Sequence, residues 1–324
     1  MARKTAISRP QFPPFSPDLQ LQFWARLQQI RNEYLSDALS QTVKELDIAK
    51  LDGELATFVG SARLAAVAAY SLRGETFFPV PYILKTKPML LGYYRLLYGL
   101  SQKEFYKHPF SRFRVMEEQN QLSTANEHFL PPLCKSLGQT AWALFSGIQP
   151  LSPATIHELQ LLTVGPQLRG SRNVRIGQGA TARVFELVRH LVSSHIESST
   201  NTVITVKNAS GRMVQIAFAA DPDNTIIEML PSGAIPSVSI EIKGGADVSN
   251  VHNRIGEAEK SHQKAKAAGF TNFWTILRAK ISETAAKRGS PTTNVFFNLD
   301  EMLKAGTHPH SQFRDLLYHT IGVG

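Results

Sequence analysis

Three residues in the second half of the chain combine residue types and spacing that suit chemistry on a phosphate group. Asp223 starts a short apolar run, and eighteen residues later Glu241-Ile242-Lys243 ends a second one. Because side chains alternate along a β-strand, Glu241 and Lys243 point to one face and Ile242 to the other. If Asp223 begins the neighbouring strand, its carboxylate lies beside Glu241, and the two carboxylates form an oxygen cradle for a divalent cation. Lys243 would then orient a water or offset charge that develops on a phosphate.

The surrounding sequence predicts strands and helices in an order that can bring these residues together. Apolar and β-branched runs bounded by turn residues predict strands at 202–207, 212–219, 225–230, 237–243, 272–277 and 294–299. Apolar residues that recur near period 3.6 predict helices at about 181–197 and 249–268, and a basic helix precedes the last strand. The second half is therefore expected to form a sheet with flanking helices.

The first half of the chain is expected to be mainly helical. Apolar residues recur near period 3.6 from 16 to about 72, and Ser152-Pro153 is typical of another helix start, with that helix running to about 163. Residues 1–16 are rich in proline and predict an irregular arm. Because the pattern changes after Gly165, we predict a mainly helical N-terminal region at 1–164, which is a candidate for DNA recognition, and a catalytic domain at 165–324.

The Pro222-Asp223 pair and the Glu241-Ile242-Lys243 strand, joined by a hairpin-length linker, resemble the PD-(D/E)xK nuclease superfamily, which includes most type II restriction endonucleases. The resemblance covers roughly 180–298. It implies an α/β (α+β) fold in which a mixed central sheet is flanked by helices. It also implies that Asp223, Glu241 and the Ile242 backbone carbonyl bind Mg²⁺, and that Lys243 acts with them in phosphodiester hydrolysis.

Other acids near this motif have competing interpretations. Asp221 is the alternative first acid, but Asp223 is preferred because it follows Pro222 and directly precedes the strand. Glu228 would point to the face opposite Asp223 and is expected to be solvated or ion-paired. Glu186, on the helix before the sheet, matches a position where some superfamily members carry an additional acid, and the alternative is an ordinary surface carboxylate.

The helix predicted at 249–268 places a polar face next to the motif. Arg254 and Lys260 are candidate phosphate contacts, Asn250 is a further candidate DNA contact, and Glu257 could tether Lys243 or Arg254. Its opposite face carries Val251, Ile255, Ala258 and Ala265. The alternative is an ordinary amphipathic helix with internal ion pairs.

Two basic segments are candidate DNA contacts outside the motif. The segment LRGSRNVR is expected to be a loop in which Arg169, Arg172 and Arg175 read guanine edges or clamp phosphates. Between 81 and 115, seven Lys or Arg accompany a single acid, with tyrosines interleaved at Tyr82, Tyr93, Tyr94, Tyr98 and Tyr106. Such a mixture suits a DNA backbone contact, and it equally suits a hydrophobic core, so both alternatives stay open.

Composition limits the class of protein without identifying it. The 324 residues carry a formal net charge of +9, which favours a polyanionic partner, and the 43% apolar content is that of a globular protein. Cys134 is the single cysteine, which excludes an internal disulfide and a Cys-rich zinc site. The histidines His308, His310 and His319 have no supporting acids and are expected at the surface. No run suits a signal peptide or a membrane span, and a cytoplasmic protein is expected.

Two longer runs narrow the resemblance to one group. FFPVPYILKTKPMLLGYYRLLYGLSQKEFY (77–106) and IEIKGGADVSNVHNRIGEAEKS (240–261) resemble the XcyI family of type II restriction endonucleases. This resemblance implies a homodimer that cuts double-stranded DNA at the palindrome CCCGGG with a 5′ overhang. The alternatives are a repair or recombination nuclease with the same core, a non-catalytic DNA-binding protein, and an α/β enzyme on an acidic metabolite. The absence of a glycine-rich phosphate-binding loop from the sequence argues against the enzyme on an acidic metabolite.

Overall fold

The structure, a computed structural model, describes residue 14, residues 16–219 and residues 221–323. The predicted arm at 1–16 therefore lies largely outside the described residues. The chain forms two compact units, 1–169 and 170–324. The roles assigned to the two regions stay predictions.

The first unit is helical, and residues 16–72 are helical as predicted. Asp47 begins one helix by accepting a hydrogen bond from the Lys50 backbone N–H, which satisfies one of the unpaired donors of the first turn. Short 3₁₀ turns occur at Gly74–Thr76, Pro88–Leu90 and Phe110–Phe113. The α-helices are α1 (Asp18–Tyr34), α2 (Ser36–Glu45), α3 (Ile48–Val59), α4 (Ser61–Ala68), α5 (Pro81–Thr86), α6 (Leu91–Leu97), α7 (Gln102–Phe105), α8 (Arg114–Gln119), α9 (Thr124–Glu127) and α10 (Leu130–Gly147).

The core of the first unit contains the tyrosines whose role the sequence left open. Tyr93 and Tyr94 are buried, and they pack edge to face at 5.0 Å. Arg95 is also fully buried and forms a two-bond ion pair with Glu117, with Nε to Oε2 and Nη2 to Oε1 both at 2.7 Å. These three residues of the basic segment are thus structural. Tyr106 donates a hydrogen bond to the same Glu117 carboxylate at 2.6 Å.

A long helix, α11 (Pro153–Leu191), corrects two predictions. It starts at the predicted Ser152-Pro153 signal, but it continues past 163 and includes the segment at 168–175 that was predicted as a loop. Pro166 and several glycines lie inside this helix, and buried residues along it, including Val164 and Val184, hold it in place by packing. The predicted helix at 181–197 is the last part of α11 and ends earlier, because Ile196–Ser199 is a strand.

The second unit is built on a seven-stranded mixed sheet in which the strands follow chain order. Strands β1 to β5 pair antiparallel, and β5, β6 and β7 pair parallel. All the predicted strands are present, and β1 was missed. The strands are β1 (Ile196–Ser199), β2 (Val203–Lys207), β3 (Met213–Phe218), β4 (Asn224–Leu230), β5 (Gly233–Lys243), β6 (Asn272–Leu277) and β7 (Val295–Asn298).

Helices cover both faces of this sheet. Ile240 and Ile242 of β5 face a core that also contains residues of α11 and α15 (His308–Ile321), and a fully buried Ile contributes about 1.5–3 kcal/mol. Helix α12 (Val251–Ala267) covers the other face, where its Val251 and Ile255 pack with Leu277 of β6. Two short helices, α13 (Glu283–Gly289) and α14 (Leu299–Met302), and 3₁₀ turns at Ser193–His195 and Val248–Asn250 complete the unit. The mixed α/β fold class is therefore confirmed.

Among the residues that the structure describes, no helix combines the length and the apolar character needed to cross a membrane.

Candidate active site

The pairing of β4 with β5 brings the two predicted carboxylates together. Asn224 pairs with Ile240 in the antiparallel ladder. The next step of the same register places Asp223 opposite Glu241. Since residues paired across a ladder share a face of the sheet, both carboxylates lie on the face that α12 covers.

Lys243 completes the cluster. Its Nζ lies 2.7 Å from Glu241 Oε2 and 3.8 Å from Asp223 Oδ2. Asp223 Oδ2 also accepts a hydrogen bond of 2.7 Å from the Ile242 backbone N–H. The three side chains singled out by the sequence therefore meet in one cluster at the end of β5.

Burial sets the protonation behaviour of this cluster. The side chain of Glu241 is 2% exposed, and those of Asp223 and Lys243 are 20% and 18% exposed. Burial raises the pKa of both carboxyl groups above their usual values, because the charged forms lose solvation. Burial also acts to lower the pKa of Lys243, but the Glu241 and Asp223 carboxylates outweigh it, and the pKa of Lys243 is raised. Two carboxyl groups that are costly to ionise side by side become easier to ionise when a cation lies between them.

The donor set fits a hard divalent cation. Glu241 Oε1 is buried and has no hydrogen-bond partner, although a buried carboxylate oxygen normally has one. Among the described residues, no group of three or more His, Cys, Asp or Glu side chains is arranged to hold a metal ion. A site here would thus use two carboxylates with backbone and water oxygens, which is the ligand set that Mg²⁺ tolerates.

Neighbouring acids do not join the cluster. The carboxylate of Asp221, the alternative first acid, lies 2.8 Å from Lys264 Nζ of α12, and this hydrogen bond lowers the pKa of Asp221. Glu228 lies on the opposite face, where its Oε1 is 2.7 Å from Arg212 Nε. The ion-paired interpretation of Glu228 is confirmed.

An open cleft of about 720 Å³ lies next to the cluster and is lined by Asp223 and Lys243. Polar residues of α11 and of the β1–β2 turn share its wall, namely Gln178, Thr181, Glu186, Arg189, Thr200 and Asn201. Glu186 is exposed and pairs with Arg189 at 2.6 Å. The structure thus places Glu186 in the same cleft as the cluster, where it pairs with Arg189, and the accessory role stays a prediction.

Helix α12 contributes one arginine in an unusual environment. The guanidinium of Arg254 packs on Gly245, and a Cβ added at Gly245 would overlap its Nη1, Nη2 and Cζ atoms. Arg254 Nη1 is buried without a hydrogen-bond partner. Burial lowers the pKa of Lys243, and the Glu241 and Asp223 carboxylates raise it; Glu257 lies near enough for its charge to add a smaller upward effect. Asn250 and Lys260 are exposed, and their DNA contacts stay predictions.

The remaining candidates differ in local structure from what the sequence suggested. Arg169, Arg172 and Arg175 lie on α11 at a spacing of three residues and not on a loop. Arg169 is exposed, and its guanidinium lies 5.9 Å from the centre of the Phe23 ring. His310 Nδ1 bonds the Met302 carbonyl at 2.9 Å, which gives this histidine a structural partner.

Sequence reasoning missed a group of buried polar residues behind Glu241. Ser239 and Thr275 are fully buried on the same sheet face as Glu241, and His262 of α12 lies between them. Their signal in the sequence is weak, because hydroxyl residues in apolar strands are common. The available clue was a histidine at a spacing that places it on the apolar face of the predicted helix.

A carboxylate pair with an adjacent lysine, set at the end of a strand in a mixed sheet flanked by helices, defines a candidate phosphodiesterase of the nuclease class. Residues 24–324 match the family described as XcyI restriction endonuclease. The chain belongs to that family, and it is thus an enzyme of the type II restriction endonuclease class.

Two relatives match over most of their length. The chain is 43% identical over 319 residues to the type II restriction enzyme XcyI of Xanthomonas campestris pv. cyanopsidis, covering 96% of this chain and 95% of the relative. It is 42% identical over 306 residues to the type II restriction enzyme Cfr9I of Citrobacter freundii, covering 92% of this chain and 93% of the relative.

Proposed function

We propose that the protein hydrolyses phosphodiester bonds of double-stranded DNA at a short palindrome, with Mg²⁺ held by Asp223, Glu241 and the Ile242 carbonyl. The meeting of Asp223, Glu241 and Lys243 at the end of β5 carries the proposal. A binding protein has no need for two carboxylates that burial makes costly to ionise. A metal-dependent nuclease requires such a pair, since bound Mg²⁺ polarises the phosphate and lowers the pKa of a water.

The backbone of β5 supports the Ile242 carbonyl as the third ligand. Both backbone polar groups of a strand residue face the same neighbouring strand. The Ile242 N–H donates to Asp223, which directly precedes β4. The Ile242 carbonyl therefore points to the same side of β5 as its N–H, the side on which Asp223 lies. The Lys243 carbonyl faces the other way and accepts a hydrogen bond from the Arg278 backbone N–H. The Ile242 oxygen is thus directed toward Asp223.

Lys243 is proposed to stabilise negative charge on the phosphate. Its raised pKa keeps the ammonium group charged at neutral pH. Loss of one preorganised group that stabilises charge in a transition state costs roughly 10²–10³ in rate. Lys243 also offsets the negative charge of Glu241 before a metal binds.

DNA contacts are proposed for residues outside the cluster. Arg254 is assigned to a phosphate, because its half-buried guanidinium lies against Gly245, just past the end of β5, where an anionic oxygen would pair with it. Asn250 and Lys260 of α12 and the three arginines Arg169, Arg172 and Arg175 of α11 are the other proposed contacts. Glu186 and Glu257 are proposed accessory acids.

A homodimer and the target CCCGGG are part of the proposal through the family resemblance. A two-fold dimer presents identical surfaces to both halves of a palindrome. Guanine-rich half-sites need bidentate donors, which arginine supplies. Sedimentation of the protein with and without a duplex containing CCCGGG measures the dimer directly, and a monomer on the duplex would contradict it.

The test of the activity uses wild-type protein, Glu241→Ala and the control Glu228→Ala. Each is incubated with a long DNA that contains CCCGGG sites, in Mg²⁺ and in EDTA. We expect discrete fragments from wild type and from Glu228→Ala in Mg²⁺ alone, since Glu228 lies on the opposite sheet face. Glu241→Ala should leave the DNA intact.

The fragment pattern separates the alternatives. Sequenced ends that all lie in CCCGGG, with a 5′ overhang, would support the proposed target. Discrete ends at another sequence would replace the target and keep the activity. A smear would indicate a less specific nuclease, and cleavage by Glu241→Ala at the wild-type rate would refute the assigned site.

A further inference from the structure

A chain of buried polar side chains runs behind Glu241 from β5 to α12. It links Ser239, His262, Thr275, Thr293 and Ser290, all fully buried, to the carboxylate of Glu259. His262 Nε2 lies 2.9 Å from Thr275 Oγ1, and Thr275 Oγ1 lies 2.8 Å from Thr293 Oγ1. Thr293 Oγ1 lies 2.7 Å from Ser290 Oγ, and Ser290 Oγ donates to Glu259 Oε2 at 2.8 Å. His262 Nδ1 lies 3.5 Å from Ser239 Oγ.

The carboxylate at the end of this chain fixes its direction. Burial acts to raise the pKa of Glu259, but hydrogen bonds from Thr292, Gln263 and Ser290 outweigh it and lower the pKa. An ionised carboxylate only accepts, so the Ser290 hydroxyl donates to it. Each hydroxyl has a single proton, so Thr293 donates to Ser290 and Thr275 donates to Thr293.

This direction determines the tautomer of His262. Thr275 has already used its proton, so His262 must donate to it from Nε2, and its Nδ1 is left as the acceptor for Ser239. Burial lowers the pKa of His262 to about 4, in agreement with a neutral ring at pH 7. Hydrogen bonds that all run in one direction polarise and strengthen each other.

The chain includes two strand positions next to Glu241. Ser239 lies two residues before Glu241 on the same face of β5. Thr275 is the direct partner of Glu241 in the parallel ladder between β5 and β6. His262 therefore connects the neighbours of Glu241 on both strands to α12.

We propose that His262, through Ser239 and Thr275, is a positioning residue that holds the Glu241 carboxylate in its metal-binding orientation. This inference rests on the proposed metal site. Groups that hydrogen-bond a metal ligand without touching the metal commonly contribute 10- to 100-fold to metal affinity. Thr275 stands beside Glu241 in the ladder and acts through packing, so an effect at the low end of that range is expected. The hydroxyl of Thr275 is thus expected to contribute to the affinity for metal although Thr275 provides no ligand.

The test compares Thr275→Val, which keeps the shape and removes the hydroxyl, with Thr275→Ser, which keeps the hydroxyl. Thr42→Val is the matched control, because Thr42 is also a buried threonine whose hydroxyl is hydrogen-bonded, and it lies in the first unit. Binding of Mn²⁺ alone, without DNA, is measured from the free-ion resonance signal. Folding of each variant is checked by thermal unfolding.

We expect Thr275→Val to need roughly 10-fold more Mn²⁺ for half-saturation. Thr275→Ser and Thr42→Val should bind as wild type does. Unchanged binding by Thr275→Val, or equal weakening by Thr275→Ser, would overturn the inference alone. Undiminished Mn²⁺ binding by Glu241→Ala would instead overturn the proposed metal site. Nitrogen NMR of the His262 ring at pH 7 gives a second readout, and protonation at Nδ1 in place of Nε2 would contradict the direction of the chain.

Discussion

Replacement of Arg254 by Gln should remove one contact with a DNA phosphate and lower the salt dependence of binding. Each neutralised phosphate contributes about 0.9 to the slope of log affinity against log salt concentration. Between 50 and 200 mM salt, wild type should therefore lose roughly 3.5-fold more affinity than Arg254→Gln. The prediction follows from a half-buried guanidinium that lies against Gly245, two residues after Lys243.

Gly245 provides an independent way to move the same group. Gly245 does not adopt a positive φ, so alanine is compatible with its backbone, and the added Cβ would overlap the Arg254 guanidinium. Gly245→Ala should thus weaken binding and reduce the slope as Arg254→Gln does. The double variant should resemble either single variant, because both changes remove one interaction.

The assay is fluorescence anisotropy of a labelled duplex in EDTA, with salt varied and no cleavage. Arg314→Gln is the control, since Arg314 is exposed on α15, which packs against the opposite sheet face from α12. The same slope for wild type and Arg254→Gln would refute the phosphate assignment. Additive effects of the two changes would refute the argument that Gly245 acts through Arg254.

Three further outcomes are expected. Asp223→Asn should lower the single-turnover cleavage rate by at least about 100-fold. Asp221→Asn removes only an exposed ion pair worth about 0–1 kcal/mol and should change that rate by less than about 5-fold. Equal losses of rate in the two variants would make Asp221 a ligand. The pKa of His262 is about 4 in the folded protein and about 6.5 in the unfolded chain, so the unfolded state binds more protons between these two pH values. The free energy of unfolding should therefore fall as the pH is lowered through this window, by about 2 kcal/mol at pH 5. Urea unfolding of wild type and His262→Gln at pH 5 and pH 7 should show this difference, and parallel losses would contradict it. Glu117→Gln should destabilise the first unit by about 3–5 kcal/mol in urea, because it breaks a buried ion pair, while Glu118→Gln should cost less than about 1 kcal/mol.

The strands and the meeting of the three candidate site residues were predictable because their signals are local. Strand β6 has the predicted bounds, Asn272–Leu277, since an apolar run between turn residues needs no tertiary information. Glu241 and Lys243 share a face because alternation along a strand is a property of the backbone. The partial burial of the Lys243 ammonium and of the two carboxylates then results from helix α12, which covers this face of the sheet.

The long helix α11 was not predictable from local signals. Gly165-Pro166 and Gly170 lie inside it, although both residue types disfavour helix interiors. Packing of distant residues such as Val164 and Val184 decides the outcome, and no local pattern reports it. The chain of hydroxyls from Ser239 to Glu259 was hidden for a similar reason, because its members come from four separate segments.

One inserted residue in β5 decides whether the candidate site exists. Near the hairpin turn Ile227 pairs with Pro236, but Ile226 pairs with Val238, so Ser237 is an extra residue that forms a β-bulge. If the same two strands paired without the bulge, Asp223 would lie opposite Ile240. Glu241 would then point to the face of the sheet opposite Asp223. The spacing of eighteen residues between Asp223 and Glu241 is compatible with either register. The sequence therefore indicates which residues could form the site, and the bulge supplies the one-residue shift that brings their carboxylates to the same face.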